Sequence, residues 1–222
     1  MIGDCAAVKL VTLPGVFAPI SDSWMLADAI RSEDLGAGSR ALDVCTGSGL
    51  LAITAAECGA DATAVDVSRR ALLTVRLNAM RAGVRVRTVR GRLFGPVAGE
   101  RFDLIVSNPP YVPSPRPGVP RFGARRAWEA GHDGRIVLDA LCDGAAAHLR
   151  PGGAILLVHS SLIGINATLQ RLRRAGLVDV GVQTCVRGPL GPLMRAQQAV
   201  GTIPADVGEE DVVIIRATAP AS

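Results

Sequence analysis

From residue 40 onward, short apolar runs alternate with longer stretches in which apolar positions recur every three to four residues. RALDVC (40–45), DATAVDV (61–67), VRVRTV (84–89), RFDLIVS (101–107) and GGAILLVHS (152–160) read as strands. LLAITAAECG (50–59) and SRRALLTVRLNAMRAG (68–83) read as helices closed by Gly59 and Gly83. Residues 133–149 and 162–175 read as two further helices, and LVDVGVQTC (177–185) and DVVIIRAT (211–218) as the last strands. Ahead of this region, VKLVTL (8–13) reads as a short strand. Ser21, Asp22 and Ser23 offer N-cap oxygens before an apolar stripe of Trp24, Met25, Leu26, Ala29 and Ile30 that ends near Gly36. Strands alternating with helices predict an α/β fold, a doubly wound and mostly parallel sheet with helices on both faces. Seven strands are expected, the last two at one edge. Residues 1–38 read as a leading extension packed on a domain spanning 39–222. The longest connections are 113–131 and 187–208, a length that favours function over filler.

Composition adds limits. Of 222 residues, 49% are hydrophobic and 20% charged, enough for a sizeable core and incompatible with disorder or a disulfide mini-protein. Twenty-four basic against 20 acidic residues give +4, which permits an anionic partner without requiring one. Cys5, Cys45, Cys58, Cys142 and Cys185 are odd in number and contain no C-x-x-C, and His132, His148 and His159 show no ligand spacing, so no metal site is expected. The cysteines read as small buried hydrophobes. No basic segment followed by an apolar one opens the chain, and no apolar run reaches about 18 residues. A reducing, cytoplasmic setting with no membrane span is expected.

The first candidate motif is Asp43-Val44-Cys45-Thr46-Gly47-Ser48-Gly49, between a strand and a helix. Its glycines allow a tight turn and a close approach of backbone N–H groups to a ligand, and the helix start behind them favours a negative group. Asp66, at the tip of the next strand, can accept hydrogen bonds from both hydroxyls of a ribose. Gly47 to Ala52 also fits the G-x-G-x-x-A dinucleotide pattern, so an NAD-type site and a ligand-free glycine turn are alternatives at this point.

The second motif, Asn108-Pro109-Pro110-Tyr111, follows the fourth strand directly. The prolines hold the backbone extended and remove two N–H donors, leaving carbonyls that can only accept. The Asn108 side-chain carbonyl adds another acceptor, and Tyr111, the only tyrosine, gives a flat wall for a planar group. Acceptors placed this way can grip both hydrogens of an –NH2 and stabilise the positive charge that grows on a planar nitrogen as it attacks an electrophilic methyl. NAD chemistry has no use for such a clamp. A Pro-rich turn with a locally capping Asn is the structural alternative.

Together DVCTGSG, AVDVS and NPPY resemble class I S-adenosylmethionine-dependent methyltransferases of the HemK type, the release-factor glutamine N5-methyltransferases. VFAPISDSWMLADAI and NPPYVPSP followed by RRAWEAGHDGRIVLDAL are similar to the short archaeal and eukaryotic branch, which lacks the separate N-terminal helical domain of bacterial HemK. The likeness covers roughly residues 8–195. It implies S-adenosyl-L-methionine as cofactor and a glutamine of a release factor as acceptor. Asp43 and Cys45, Thr46, Gly47, Ser48 and Gly49 then belong to the cofactor site, the last five along the methionine part. Asp66 holds the ribose. Asn108, Pro109, Pro110 and Tyr111 bind the substrate amide, with Asn108 also near the transferred methyl. The acid that the family places at the adenine is Arg92 here, so Leu93 and backbone take over adenine recognition. Ser21 replaces the opening glutamate, and Cys45 stands where glycine is common. The branch often works with a small zinc-binding activator subunit.

The NPPY tetrapeptide also occurs in nucleic-acid amino-methyltransferases, so N6-adenine or N2-guanine methylation of RNA or DNA is an alternative. A weakly active cofactor-binding scaffold is another. From Ser68 to Arg92 eight arginines occur with no acid, which suits either a solvated face or an RNA contact. Arg116, Arg121, Arg125 and Arg126 follow the motif, where they could steer a substrate, and Trp128 reads as packing.

Overall fold

The computed structural model describes residues 10–221. Seven strands form one sheet: β1 (Arg40–Val44), β2 (Asp61–Asp66), β3 (Val86–Arg90), β4 (Phe102–Ser107), β5 (Leu149–Ser160), β6 (Val178–Pro189) and β7 (Glu209–Thr218). Their order is β3-β2-β1-β4-β5-β7-β6. The first five pair in parallel; β7 runs antiparallel between β5 and β6. The helices are α1 (Ser21–Arg31), α2 (Leu50–Glu57), α3 (Arg69–Ala82), α4 (Ile136–His148), α5 (Ile165–Arg174) and α6 (Pro192–Ala199). The doubly wound α/β reading and the edge position of the last two strands hold.

The central strands have no solvent face, so their residues are apolar on both sides. On one face Leu42, Val44, Ile105, Ile155 and Leu157 pack under Leu138, Leu141 and Ala145 of α4 and Leu172 of α5. On the other, Ala41, Ala62, Ala64, Leu104 and Leu156 pack under Leu26 and Ile30 of α1, Leu51 and Ala55 of α2, and Val75 of α3. The leading helix therefore completes a core layer. Its end is tied to the sheet by Glu33, which takes both guanidinium hydrogen bonds of Arg216 on β7 at 2.8 and 3.0 Å.

Several elements differ from the sequence reading. Residues 10–13 are not a strand; residues 8 and 9, with Cys5, lie outside the described residues. The N-cap of α1 is Ile20 with no side-chain cap, so Ser21, Asp22 and Ser23 do not cap this helix. α4 begins at Ile136, three residues later than read, because Gly131 and Gly134 hold left-handed backbone before it. The 162–175 segment splits into a short 3-10 turn, Ser161–Ile163, and α5, at Gly164 (φ +86°). The connection 187–208 holds the end of β6 and the whole of α6. Of the cysteines, Cys142 is buried, Cys45 and Cys58 are half-buried and Cys185 is exposed on β6. Among the described residues no helix is long and apolar enough to cross a membrane.

Candidate functional site

The strand order reverses between β1 and β4, and a crevice opens at their carboxyl ends. The glycine loop leaves β1 there and the Asn-Pro-Pro-Tyr loop leaves β4. Ser107 at the end of β4 donates to the Val44 carbonyl at 2.6 Å, and the Thr46 N–H donates to Val65 of β2 at 3.2 Å. These bonds fix the two loops against each other.

A cavity of about 290 Å³ fills the crevice. Cys45, Thr46, Gly47, Ser48, Asp66, Leu93, Asn108 and Pro110 line it, so the structure brings these predicted residues together. Asp43, Gly49, Pro109 and Tyr111 stand behind the wall. Phe17 and Ser23 from the leading segment, and Val119, Arg121 and Arg126 from the 113–131 connection, complete the enclosure. That connection is anchored at both ends: the Val112 N–H donates to Trp128 at 2.7 Å and the Ser114 N–H to Gly131 at 2.9 Å. Trp128 packs on the core beside it, as read.

Asp43 lies under the glycine loop with 1% exposure. Its Oδ2 accepts from Thr46 Oγ1 at 2.5 Å and from the Ala52 N–H at 3.1 Å, while its buried Oδ1 has no hydrogen-bond partner. Burial pushes its carboxyl up to about 7 against these two bonds, and the charge of Asp66 adds to the rise. An unfolded Asp titrates near 3.8, so the native state binds the extra proton between about pH 4 and 7. Stability then falls as pH rises through that window, by up to ~1.4 kcal/mol per pH unit. Asp43→Asn keeps the acceptor and cannot ionise. Its urea midpoint is expected to climb relative to wild type between about pH 5 and pH 8; a constant difference would reject this account.

Asp66 takes the Ser68 N–H on Oδ1 at 2.7 Å and the Gly47 N–H on Oδ2 at 3.2 Å. Burial raises its pKa, opposed by those N–H groups and by the positive charge of Arg126. The cavity wall thus sets the Asp66 carboxyl against Arg126 of the 113–131 connection. Cys45 holds a left-handed backbone (φ +63°) and its thiol is pushed up by burial, so it is a neutral wall and not a nucleophile. Leu93 is also left-handed (φ +50°), which turns the chain at the cavity's far end beside Arg92.

Asn108 is held from α1: its Nδ2 donates to Ser23 Oγ at 3.0 Å, leaving the Oδ1 end of the carboxamide as the acceptor. Tyr111 donates a short hydrogen bond to Asp22. Burial first, then the negative charges of Asp22 and Glu210, raise the Tyr111 hydroxyl well above its ordinary pKa. Gly134 supports the motif's backbone from behind: a Cβ there would sit 2.2 Å from the Tyr111 carbonyl.

Sequence reasoning misses two supports. Asn78 on α3 is fully buried and donates to Ser48 and Val11 carbonyls, both at 2.9 Å, so one side chain braces the glycine loop and the leading segment. Asp22 and Ser23 read as cap residues and instead brace the Asn-Pro-Pro-Tyr loop. A polar Asn on the inner face of an amphipathic helix is the signal available for the first; for the second the signal is the likeness of VFAPISDSWMLADAI to the opening of the short branch. All eight Ser68–Arg92 arginines are exposed, and four of them bond back to the protein: Arg70 to Pro14, Arg76 to Thr88, Arg87 to Glu100 and Arg90 to Val67.

Residues 7–116 match the family described as Methyltransferase small domain. A release factor glutamine methyltransferase of Bordetella pertussis is 38% identical over 175 residues, 75% of this chain and 64% of that protein, so this chain spans less than two thirds of its length. The protein of the same name from Geobacter sulfurreducens is 32% identical over 203 residues, 85% of this chain and 70% of that one. Among solved structures, the Mtq2–Trm112 complex of E. cuniculi, described as responsible for methylation of the eRF1 translation termination factor, superposes with a TM-score of 0.64 at 22% identity. It covers 92% of this chain and 99% of that one and supports the fold. A glycine loop and an Asn-Pro-Pro-Tyr loop on one rim, with relatives at this level of identity, mean that the chain belongs to the release factor glutamine methyltransferase family.

Proposed function

We propose that the chain methylates the side-chain amide nitrogen of a glutamine in a peptide-chain release factor, with S-adenosyl-L-methionine as donor. The observation that carries this is the Asn108 carboxamide, turned so that Ser23 takes its N–H and its oxygen is left as an acceptor at the cavity edge. The cavity's donor set suits the cofactor: a carboxylate at Asp66 for the ribose, backbone around Cys45 to Gly49 and the start of α2 for the methionine carboxylate, and the apolar side of Leu93 for the adenine.

When bound, S-adenosylmethionine supplies a methyl group on a positively charged sulfur. The chain's own part is to hold and polarise the acceptor. An amide nitrogen attacks poorly because its lone pair is delocalised. Asn108 Oδ1 and the proline-flanked backbone carbonyls accept from its two hydrogens, which aims the lone pair and stabilises the charge that develops on it. Tyr111, expected as a flat wall for the amide, stands behind the cavity lining and backs the clamp from there. No base need act before attack, since the proton leaves afterwards. Asp43 and Gly49 support the cofactor loop from below.

The division we propose is a leading segment to residue 38 and a methyltransferase domain from 39 to 222, with α1 of the leading segment serving the site. We also propose that the chain assembles with a second subunit, as Mtq2 does with Trm112; that this subunit is a small zinc-binding activator rests on the sequence resemblance alone. Its setting is the cytoplasm, where release factors act. Incubation with labelled cofactor and release factor, followed by mass spectrometry, is expected to place the label on a glutamine side chain. Label on RNA and none on protein would overturn the assignment.

A further inference from the structure

We propose that Asp22 and Ser23, in the first turn of α1, are positioning residues that set the geometry of the amide clamp from the far side of the crevice. This rests on the methyl-transfer reading above. Both are polar, and both are only 6% exposed. In a first helical turn such residues ordinarily cap the helix or face water. Here they do neither, since the cap position is Ile20 and no side chain caps the helix. Each instead makes a hydrogen bond to a residue far along the chain, 85 positions away for Ser23 and 89 for Asp22. Asp22 is fully engaged: Oδ1 accepts from Ser21 Oγ at 3.1 Å and Oδ2 accepts from Tyr111. Ser23 reaches Asn108 and also lines the cavity, so it touches both halves of the site.

The two contacts act on different degrees of freedom. A carboxamide can rotate to exchange its oxygen and nitrogen, and only the oxygen can accept from an incoming –NH2. Ser23 holds the nitrogen end. A tyrosine ring bounded only by apolar contacts can tilt, whereas a hydroxyl bonded to a carboxylate fixes its far end. The two polar members of the motif thus have their orientation set by one helical turn. A misplacement of about 1 Å in such an alignment costs up to about 10²-fold in rate.

Tyr111 is the only tyrosine, so tyrosine isotope-labelled at its ring Cζ alone gives a single carbon resonance in the whole chain. In Asp22→Asn that resonance is expected to shift at neutral pH and the ionisation midpoint of Tyr111 to fall, because one of the two negative charges facing it, with Glu210 the other, is gone. Turnover is expected to drop roughly 10- to 10²-fold, with calorimetric affinity for S-adenosylmethionine within about threefold of wild type. Ser23→Ala is expected to show the same split and Ser23→Thr, which keeps the hydroxyl, to recover most of the rate. An unmoved Tyr111 resonance in Asp22→Asn, or wild-type turnover in Ser23→Ala, would overturn the proposal. The resonance needs no acceptor: if it shifts as expected but the wild-type chain methylates no glutamine, the substrate assignment fails and the Asp22 contact stands.

Discussion

Asn108→Ala is expected to lower turnover by about 10²–10³-fold, the range for removing one preorganised group that acts on transition-state charge. Affinity for S-adenosylmethionine is expected to stay within about threefold, because we assign the carboxamide to the acceptor and the glycine loop and Asp66 to the cofactor. The loss has two parts. The acceptor oxygen disappears, and Ser23 Oγ loses the donor that it holds at 3.0 Å. Asn108→Asp separates them: it keeps an acceptor at the same reach, and the Ser23 hydroxyl can turn to donate to it. It is therefore expected to lose less than the alanine variant. Steady-state kinetics at saturating cofactor, with calorimetry on the same samples, reads both quantities. Turnover within about tenfold of wild type in Asn108→Ala would remove the clamp from the mechanism.

The parts of the site that follow a strand are legible, because a strand end places whatever comes next on a known rim. The glycine loop after β1, Asp66 at the tip of β2 and Asn108 after β4 all fall where alternation alone puts them. What local pattern cannot carry is a contact across a wide gap in sequence. Asp22 and Ser23 have a cap-like composition and a buried, tertiary use. Asn78 looks like one polar interruption of an apolar stripe, and its three bonds to Val11 and Ser48 arise only once α3 docks. α6 is hidden because Gly191 and Pro192 open it and Gly201 follows it closely, a composition that reads as loop. β6 runs to Gly188 and Pro189, residues that weaken a central strand but cost an edge strand little. The 113–131 connection stands out by its length, and its Arg121 and Arg126 do stand over the cavity.

The two glycines of the glycine loop are expected to fail in different ways, and Gly49→Ala is the larger loss of stability. Gly49 sits at φ +88°, and a Cβ there would lie 2.9 Å from Val75 Cγ2 and 3.1 Å from the Val75 backbone. The left-handed backbone costs an L-residue about 1–2 kcal/mol. Overpacking against α3 adds about 1–3 kcal/mol, because Val75 is fully buried and its backbone cannot retreat. The total, roughly 2–5 kcal/mol, is a large share of the 5–15 kcal/mol that typically holds a domain together. Gly47 is different: it sits at φ +53°, and the nearest atom to its Cβ is the Phe17 carbonyl at 3.8 Å, an ordinary separation. Gly47→Ala is expected to cost stability only about 1–2 kcal/mol. Its methyl group would stand at the cavity wall, however, since both Gly47 and Phe17 line it. Cofactor affinity is therefore expected to fall roughly tenfold or more, the scale of about 1.4 kcal/mol or above. Urea unfolding and calorimetry on the two variants give a crossed pattern, with Gly49→Ala losing the fold and Gly47→Ala losing the ligand. Val75→Ala in the Gly49→Ala background should restore part of the stability by removing both Cγ atoms, while the close approach to the α3 backbone and the left-handed strain persist. Gly49→Ala unfolding within about 1 kcal/mol of wild type would show that the loop gives way at Val75. The second glycine would then answer to the ligand, as the first does, and not to packing against α3.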